Sequence, residues 1–175
     1  MHSRIFELSE QQMHPDDYVQ KDYFYGYDGI VNGFIEHIAD HVSDEVDRDE
    51  SIEWLIKCLQ NNAGKKYFTF NKEEGYIVFH KGFKTAYFRE RYQKFKRIAN
   101  NLTLDEFSGE GSAPIEYILK LADLKNLIQK THGFYVLRKD DGSNVIQTLD
   151  SFVRHSVYHK RYYIGGVMDY HYRFC

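Results

Sequence analysis

The chain is short of proline and cysteine, with 2 of each in 175 residues. It also lacks a long apolar run. A transmembrane helix needs about 18 or more apolar residues in succession, so no membrane span is expected. The first residues, MHSRIFELSEQQMHPDD, contain no basic stretch followed by an apolar core, which argues against a signal peptide. Cys58 and Cys175 lie far apart and form no CxxC pair. That spacing suggests neither a disulfide framework nor a thiolate metal site, and a reducing cytoplasm is the expected compartment. Also missing are GxGxxG and GxxxxGK[ST], the glycine-rich loops that cradle phosphates, and GxSxG and HExxH, the signatures of a serine nucleophile and a zinc protease. No cofactor is therefore expected, and no catalytic constellation is legible.

There is no repeat and no Pro/Ser-rich linker. One domain is expected, and a chain of this length buries roughly 70% of its unfolded surface without disulfides or metal. Charged residues make up 28% and hydrophobic ones 42%, a balance that reads as soluble and globular. Aromatics reach 17%, with 15 Tyr and 13 Phe. They are spread along the chain at positions a core would use, so coding bias in an AT-rich genome explains them better than a stacking surface. A low-GC bacterium, one of its phages or a mobile element suits that composition.

Hydrophobic periodicity supplies the layout. SRIFELS reads as a strand. DYFYGYDG reads as strand then loop. Val31, Phe34, Ile35, Ile38 and Val42 share one helical face, which predicts a helix over residues 28–42. Ile52, Leu55, Ile56 and Leu59 make the stripe of a second helix, residues 49–63. Acids fill its first turn and Gly64 marks its stop; Trp54 and Cys58 lie off the stripe and widen its apolar arc. KKYFTFNKEEGYIVFHKG predicts a hairpin around KEEG. The following basic helix would place Phe88, Tyr92, Phe95 and Ala99 inward. Thr103 and Glu106 have capping-box spacing. Residues 112–131 form an apolar helix with Pro114 near its start and Gly133 beyond its end. A second hairpin is expected at Asp141-Gly142. The tail is either a helix from about Leu149 followed by a hairpin turning at Gly165-Gly166, or strand throughout. The expected class is α+β, one compact domain of four to five helices packed on antiparallel hairpins. Its parts are an acidic helical segment (1–64), a basic hairpin and helix (65–101), and a helix with hairpins (102–175).

Charge by region is the strongest signal. Residues 1–53 carry 14 acids against Arg4, Lys21 and Arg48, while residues 57–97 carry 11 bases against Glu73, Glu74 and Glu90. Residues 98–175 hold nine of each. Either the two signed blocks neutralise each other inside the fold, or they form separate outward faces. An outward acidic face, drawn on Asp40, Asp44, Glu45, Asp47, Asp49 and Trp54, would dock a basic protein partner and steer its approach. An outward basic face would instead place Lys81, Lys84, Arg89, Arg91, Lys94, Lys96 and Arg97 against phosphates, with aromatics free to stack.

Histidines offer a third option. His37 and His41, four apart on a predicted helix, would share a side with Asp44 beyond them, a donor set that suits zinc. His155 and His159 repeat the spacing. The glutamate of HExxH is missing, however, and Ile38 stands in its place. Cys58, inside a helix among apolar neighbours, reads as an inert thiol rather than a nucleophile. The leading expectation is a non-enzymatic cytoplasmic protein that binds a protein partner through its acidic N-terminal surface. Nucleic-acid binding by residues 65–97 is the alternative, and a metal-dependent enzyme using His37 and His41 is a second.

Overall fold

The computed structural model describes residues 2–25, 34, 39–108, 110, 114–128, 133–140 and 143–172. Seven strands form one mixed sheet: β1 (His2–Ser9), β2 (Ala39–Ser43), β3 (Phe68–Asn71), β4 (Tyr76–Phe79), β5 (Tyr135–Asp140), β6 (Ser143–Thr148) and β7 (Arg161–Tyr172). Their order is β3-β4-β7-β1-β5-β6, and β2 also pairs with β7. The described helices are α1 (Arg48–Ala63), α2 (Phe83–Asn100), α3 (Leu104–Ser108), α4 (Pro114–Ile128) and α5 (Leu149–His155), with short 3-10 turns at Pro15–Asp17, Lys21–Phe24 and Lys65–Tyr67. The α+β class holds, with one continuous sheet in place of separate hairpins, and β1 and β5 run parallel.

Alternation along the strands sends apolar residues to both faces. On one face Phe6, Leu8, Val136, Tyr162, Ile164 and Val167 pack with Leu55 and Leu59 of α1, Phe83 and Tyr87 of α2, and Phe152 and Val153 of α5. On the other, Ile5, Leu137, Met168 and Tyr170 pack with Phe24, Phe34 and Val42. The ring of Phe34 meets Phe24, Tyr135 and Tyr170 at centroid distances of 5.6, 5.2 and 5.5 Å.

Several local expectations hold. In α1, Asp47 caps the Glu50 N–H at 2.9 Å, the stripe residues are buried, and Gly64 stops the helix at φ +87°. Thr103 and Glu106 form the reciprocal capping box, with Glu106 N–H donating to Thr103 Oγ1 at 3.2 Å and Thr103 N–H donating to Glu106 Oε2 at 2.9 Å. The β5–β6 pair is a hairpin whose two turn residues fall outside the described set.

Three expectations are corrected. First, Ala39–Ser43 is a strand, not the end of a helix. It pairs with β7, and sheet pairing overrides helical periodicity; the rest of that predicted helix, Phe34 apart, lies outside the described residues. Second, α2 turns differently: Phe83 and Tyr87 are its buried residues, Phe88 and Phe95 are half-buried, and Tyr92 is 63% exposed. Third, Gly165-Gly166 is no hairpin turn but the middle of β7. Phe6 pairs with Val167 and Leu8 with Ile164, so Glu7 alone faces both glycines in a β-bulge.

The bulge has a chemical reason. Glu7 is fully buried, and its Oε2 accepts from Gly166 N–H at 2.8 Å and Val19 N–H at 3.0 Å. A Cβ on Gly165 would stand 2.5 Å from that oxygen, and one on Gly166 would stand 2.7 Å from the Val19 carbonyl. Only glycines admit both the carboxylate and the crossing chain here. Arg48 donates to the Gly165 and Ile164 carbonyls at 2.9 and 2.6 Å, so the disrupted ladder finds a partner.

Candidate functional site

The signed blocks do not pair with each other directly. Among the described residues, no ion pair joins a carboxylate of residues 1–53 to a base of residues 57–97. The paired acids of the first block look mainly to the last: Glu7 to Lys139, Glu10 to Arg138 and Lys160, Asp40 to His171. Two of that block's three bases are directed elsewhere. Arg4 pairs with Asp169, donates to Ser51 Oγ at 3.0 Å and stands 4.9 Å over the Trp54 ring. Arg48 serves the bulge and lies only 3.8 Å from Asp49 at the surface.

Asp40, Asp44, Glu45, Asp47 and Asp49 are all exposed, on β2, the connection to α1 and the first turn of α1. Two also hold the backbone: Asp47 caps α1, and Asp44 accepts from Lys21 N–H at 2.7 Å. Glu50 and Glu53 extend the same exposed helical surface. They stand off the Ile52–Leu59 stripe, a signal present in the helical period. Trp54, the only tryptophan, is 41% exposed on the border of that surface. The C-terminal end of α1 faces α2 across a groove bordered by Asn61, Asn62, Ala86 and Arg89.

The basic residues are divided. Arg91 is committed to Asp150, with Nη1 and Nη2 donating at 2.5 and 3.0 Å. Lys84 donates to the Arg154 carbonyl at 2.8 Å and faces the Tyr158 ring. Lys94 is 3.8 Å from Asp123 in an exposed pair. Lys81, Arg89, Lys96 and Arg97 are exposed. On α2, Arg89, Tyr92 and Lys96 recur at helical spacing on one outward side.

The histidines do not form the expected pairings. His37 lies outside the described residues. His41 is on β2, where it pairs with His171, and His171 pairs with His2 on β1. Three imidazoles thus stand on adjacent strands, a convergence that required strand order to see. The His2 and His171 rings lie 5.2 Å apart, and each imidazole has a further partner: His2 Nδ1 meets Asp169 at 2.6 Å, His171 Nδ1 meets Asp40 at 3.1 Å, and His41 Nδ1 meets Tyr25 Oη at 3.1 Å. His155 ends α5 and bonds the Ser151 carbonyl; His159 precedes β7, beside His80. Among the described residues, no three His, Cys, Asp or Glu side chains are placed to hold a metal ion. Among them too, no helix is long and apolar enough to cross a membrane.

A cleft of about 540 Å³ lies where α1, α2, the C-terminal end of α4 and the start of α5 meet. Its floor is a polar node invisible in the sequence. Asp150, in the first turn of α5 beyond the Thr148 cap, is buried and accepts from Arg91 and from Tyr87 Oη at 3.0 Å. Burial first, then the Asp150 charge, holds the Tyr87 phenol well above its ordinary pKa. Burial works against the Arg91 charge, but the hydrogen bonds and charge of Asp150 outweigh it and raise the guanidinium. Cys58 lines the cleft, half-buried, with Asn62 Nδ2 at 2.7 Å from its carbonyl. No family model, curated protein or solved structure matches the chain.

Proposed function

We propose that this is a non-enzymatic binding module that docks a basic protein partner on the acidic face around β2 and the N-terminal half of α1. The observation that carries the reading is the missing cross-pairing: the carboxylates of residues 40–53 are not matched by the bases of α2 among the described residues. Exposed charge of one sign steers an oppositely charged partner and raises its encounter rate. Trp54 adds a large, partly exposed ring already stacked on one guanidinium, the kind of residue that anchors interfaces.

Trp54 is also the reporter. Its emission is followed while a lysine- and arginine-rich peptide is mixed in by stopped flow. The association rate should fall steeply as salt rises and fall again in a Glu45→Lys, Asp49→Lys, Glu53→Lys variant, which spares the Asp47 cap. A rate indifferent to salt and to reversal would remove the reading.

A second reading, nucleic-acid binding by α2, is favoured by Tyr92 standing 63% exposed between Arg89 and Lys96. Arg91 contributes nothing to it, being held by Asp150. A single-stranded oligonucleotide bound there should show a log–log salt slope of about 0.7 per phosphate contacted, and no binding at low salt would discard it.

A further inference from the structure

Lys81, Arg89, Lys96 and Arg154 are exposed, and among the described residues none of them forms an ion pair. Arg154, on α5, lies 4.2 Å over the Phe88 ring, one turn before Tyr92, and so carries the row of Arg89, Tyr92 and Lys96 across to the next helix. Glu90, the only acid of α2, is set off that row and borders the groove shared with Leu127 of α4. The acidic face repeats the situation with the sign reversed: Glu45, Glu50 and Glu53 are exposed and form no ion pair among the described residues. We propose that the basic partner of the acidic face is a second copy of this chain, which seats its α2–α5 surface there. The inference rests on the acidic-face reading and names its partner.

Charge balance selects this occupant. Residues 1–53 carry 14 acids against three bases, a net of −11, and residues 57–97 carry 11 bases against three acids, a net of +8, yet the whole chain stands at only −3. Two copies therefore repel each other weakly as whole bodies, while their opposed surfaces attract and orient them. A nucleic acid suits only half of this pattern, because the acidic face repels the phosphates that the basic one draws in. Each surface also carries a ring of the kind that anchors interfaces. On the acidic side it is Trp54, 41% exposed one turn beyond Glu50; on the basic side it is Tyr92, 63% exposed between Arg89 and Lys96. The two surfaces differ, so the contact is head-to-tail where each copy gives one face, and it closes as a two-fold pair only where both faces of both copies engage.

The test is sedimentation velocity of the full chain at about 0.01 M and about 1 M salt, where charges act over about 30 Å and about 3 Å. The chain should sediment as a dimer or larger at low salt and as a monomer at high salt. One variant carries Glu45→Lys, Asp49→Lys and Glu53→Lys; a second carries Lys81→Glu, Arg89→Glu and Lys96→Glu. Each alone should associate about tenfold more weakly or worse, with the melting temperature retained. Mixed together the two should associate again, since each keeps the face that the other needs, and a variant that had merely lost its fold would not be rescued. The proposal is overturned if the parent is a monomer at low salt, if its association persists at high salt, or if the mixed variants stay monomeric. A monomer that still takes up the cationic peptide in a salt-dependent way overturns the self-docking alone and leaves the acidic face in place. A monomer whose α2 takes up an oligonucleotide overturns it too, and assigns the basic surface to nucleic acid.

Discussion

Helices α1 and α4 are nearly the same length, 16 and 15 residues, and α4 is the more apolar of the two. Yet α1 buries six residues, while none of the described side chains of α4, Tyr117 to Ile128, is buried. Apolar content does not place a helix; apolar spacing does. Ile52, Leu55, Ile56, Leu59 and Ala63 share one side and meet the sheet. In α4 the apolar residues run all the way round, so its neighbours take only part of them, and those neighbours are α2 and the short α3 rather than the sheet.

The largest effect should come from α1. Leu59→Ala or Leu55→Ala removes a side chain that is 1% exposed and should cost about 2–5 kcal/mol, the range for a large-to-small change in a packed core. Urea denaturation measures it directly. A loss below about 1 kcal/mol would mean that α1 is held no better than α4.

A smaller loss is expected where α2 and α5 meet. Asp150→Asn keeps the shape but leaves the half-buried guanidinium of Arg91 without its charge partner, and should cost about 1.5–3 kcal/mol, the worth of hydrogen bonds to a charged group. Its neighbour Tyr87 gives a pH signature. The phenol is held above its ordinary value of about 10, so the folded state keeps a proton that the unfolded chain releases. The stability it contributes is intact below that pH and is lost as pH climbs through the folded value. The urea midpoint should therefore drop in alkali, and drop less in Tyr87→Phe. Tyr135 and Tyr162 are also raised by burial, so some alkaline loss should persist.

Comparing these elements also shows what the residues alone disclosed. The stripe and caps of α1, the capping box at Thr103 and the two hairpins were legible because each is written in contiguous residues. The bulge was not. Gly165-Gly166 between apolar residues is a sound turn signal, and what overrules it is a carboxylate more than 150 positions away, Glu7. For the same reason the Asp150 node and the alignment of His2, His171 and His41 escaped notice, since both rest on which elements become neighbours. The charge blocks were legible by counting, but that they do not pair with each other needed the ion pairs. Tyr92 was misplaced because a helix with five aromatic residues, such as α2, offers several stripes. The one that wins, through Phe83 and Tyr87, is chosen by rings on other elements, Phe79 at 4.3 Å from Phe83 above all.

The smallest effect sharpens the opening contrast from the other side. Ile118 and Leu119 are 60% and 62% exposed on α4, so truncating either to alanine removes little that the fold has taken from water. Each change should fall within about 0.5 kcal/mol of the parent, as surface substitutions do, and alanine's better helix propensity offsets part of any loss. The same urea experiment that registers Leu59→Ala should return midpoints for these two that overlap the parent. A cost near that of Leu59→Ala would require something to cover α4 in solution. Repeating the measurement at a tenfold lower protein concentration then decides the cause, because a second copy would make the loss depend on concentration whereas a contact within one chain would not.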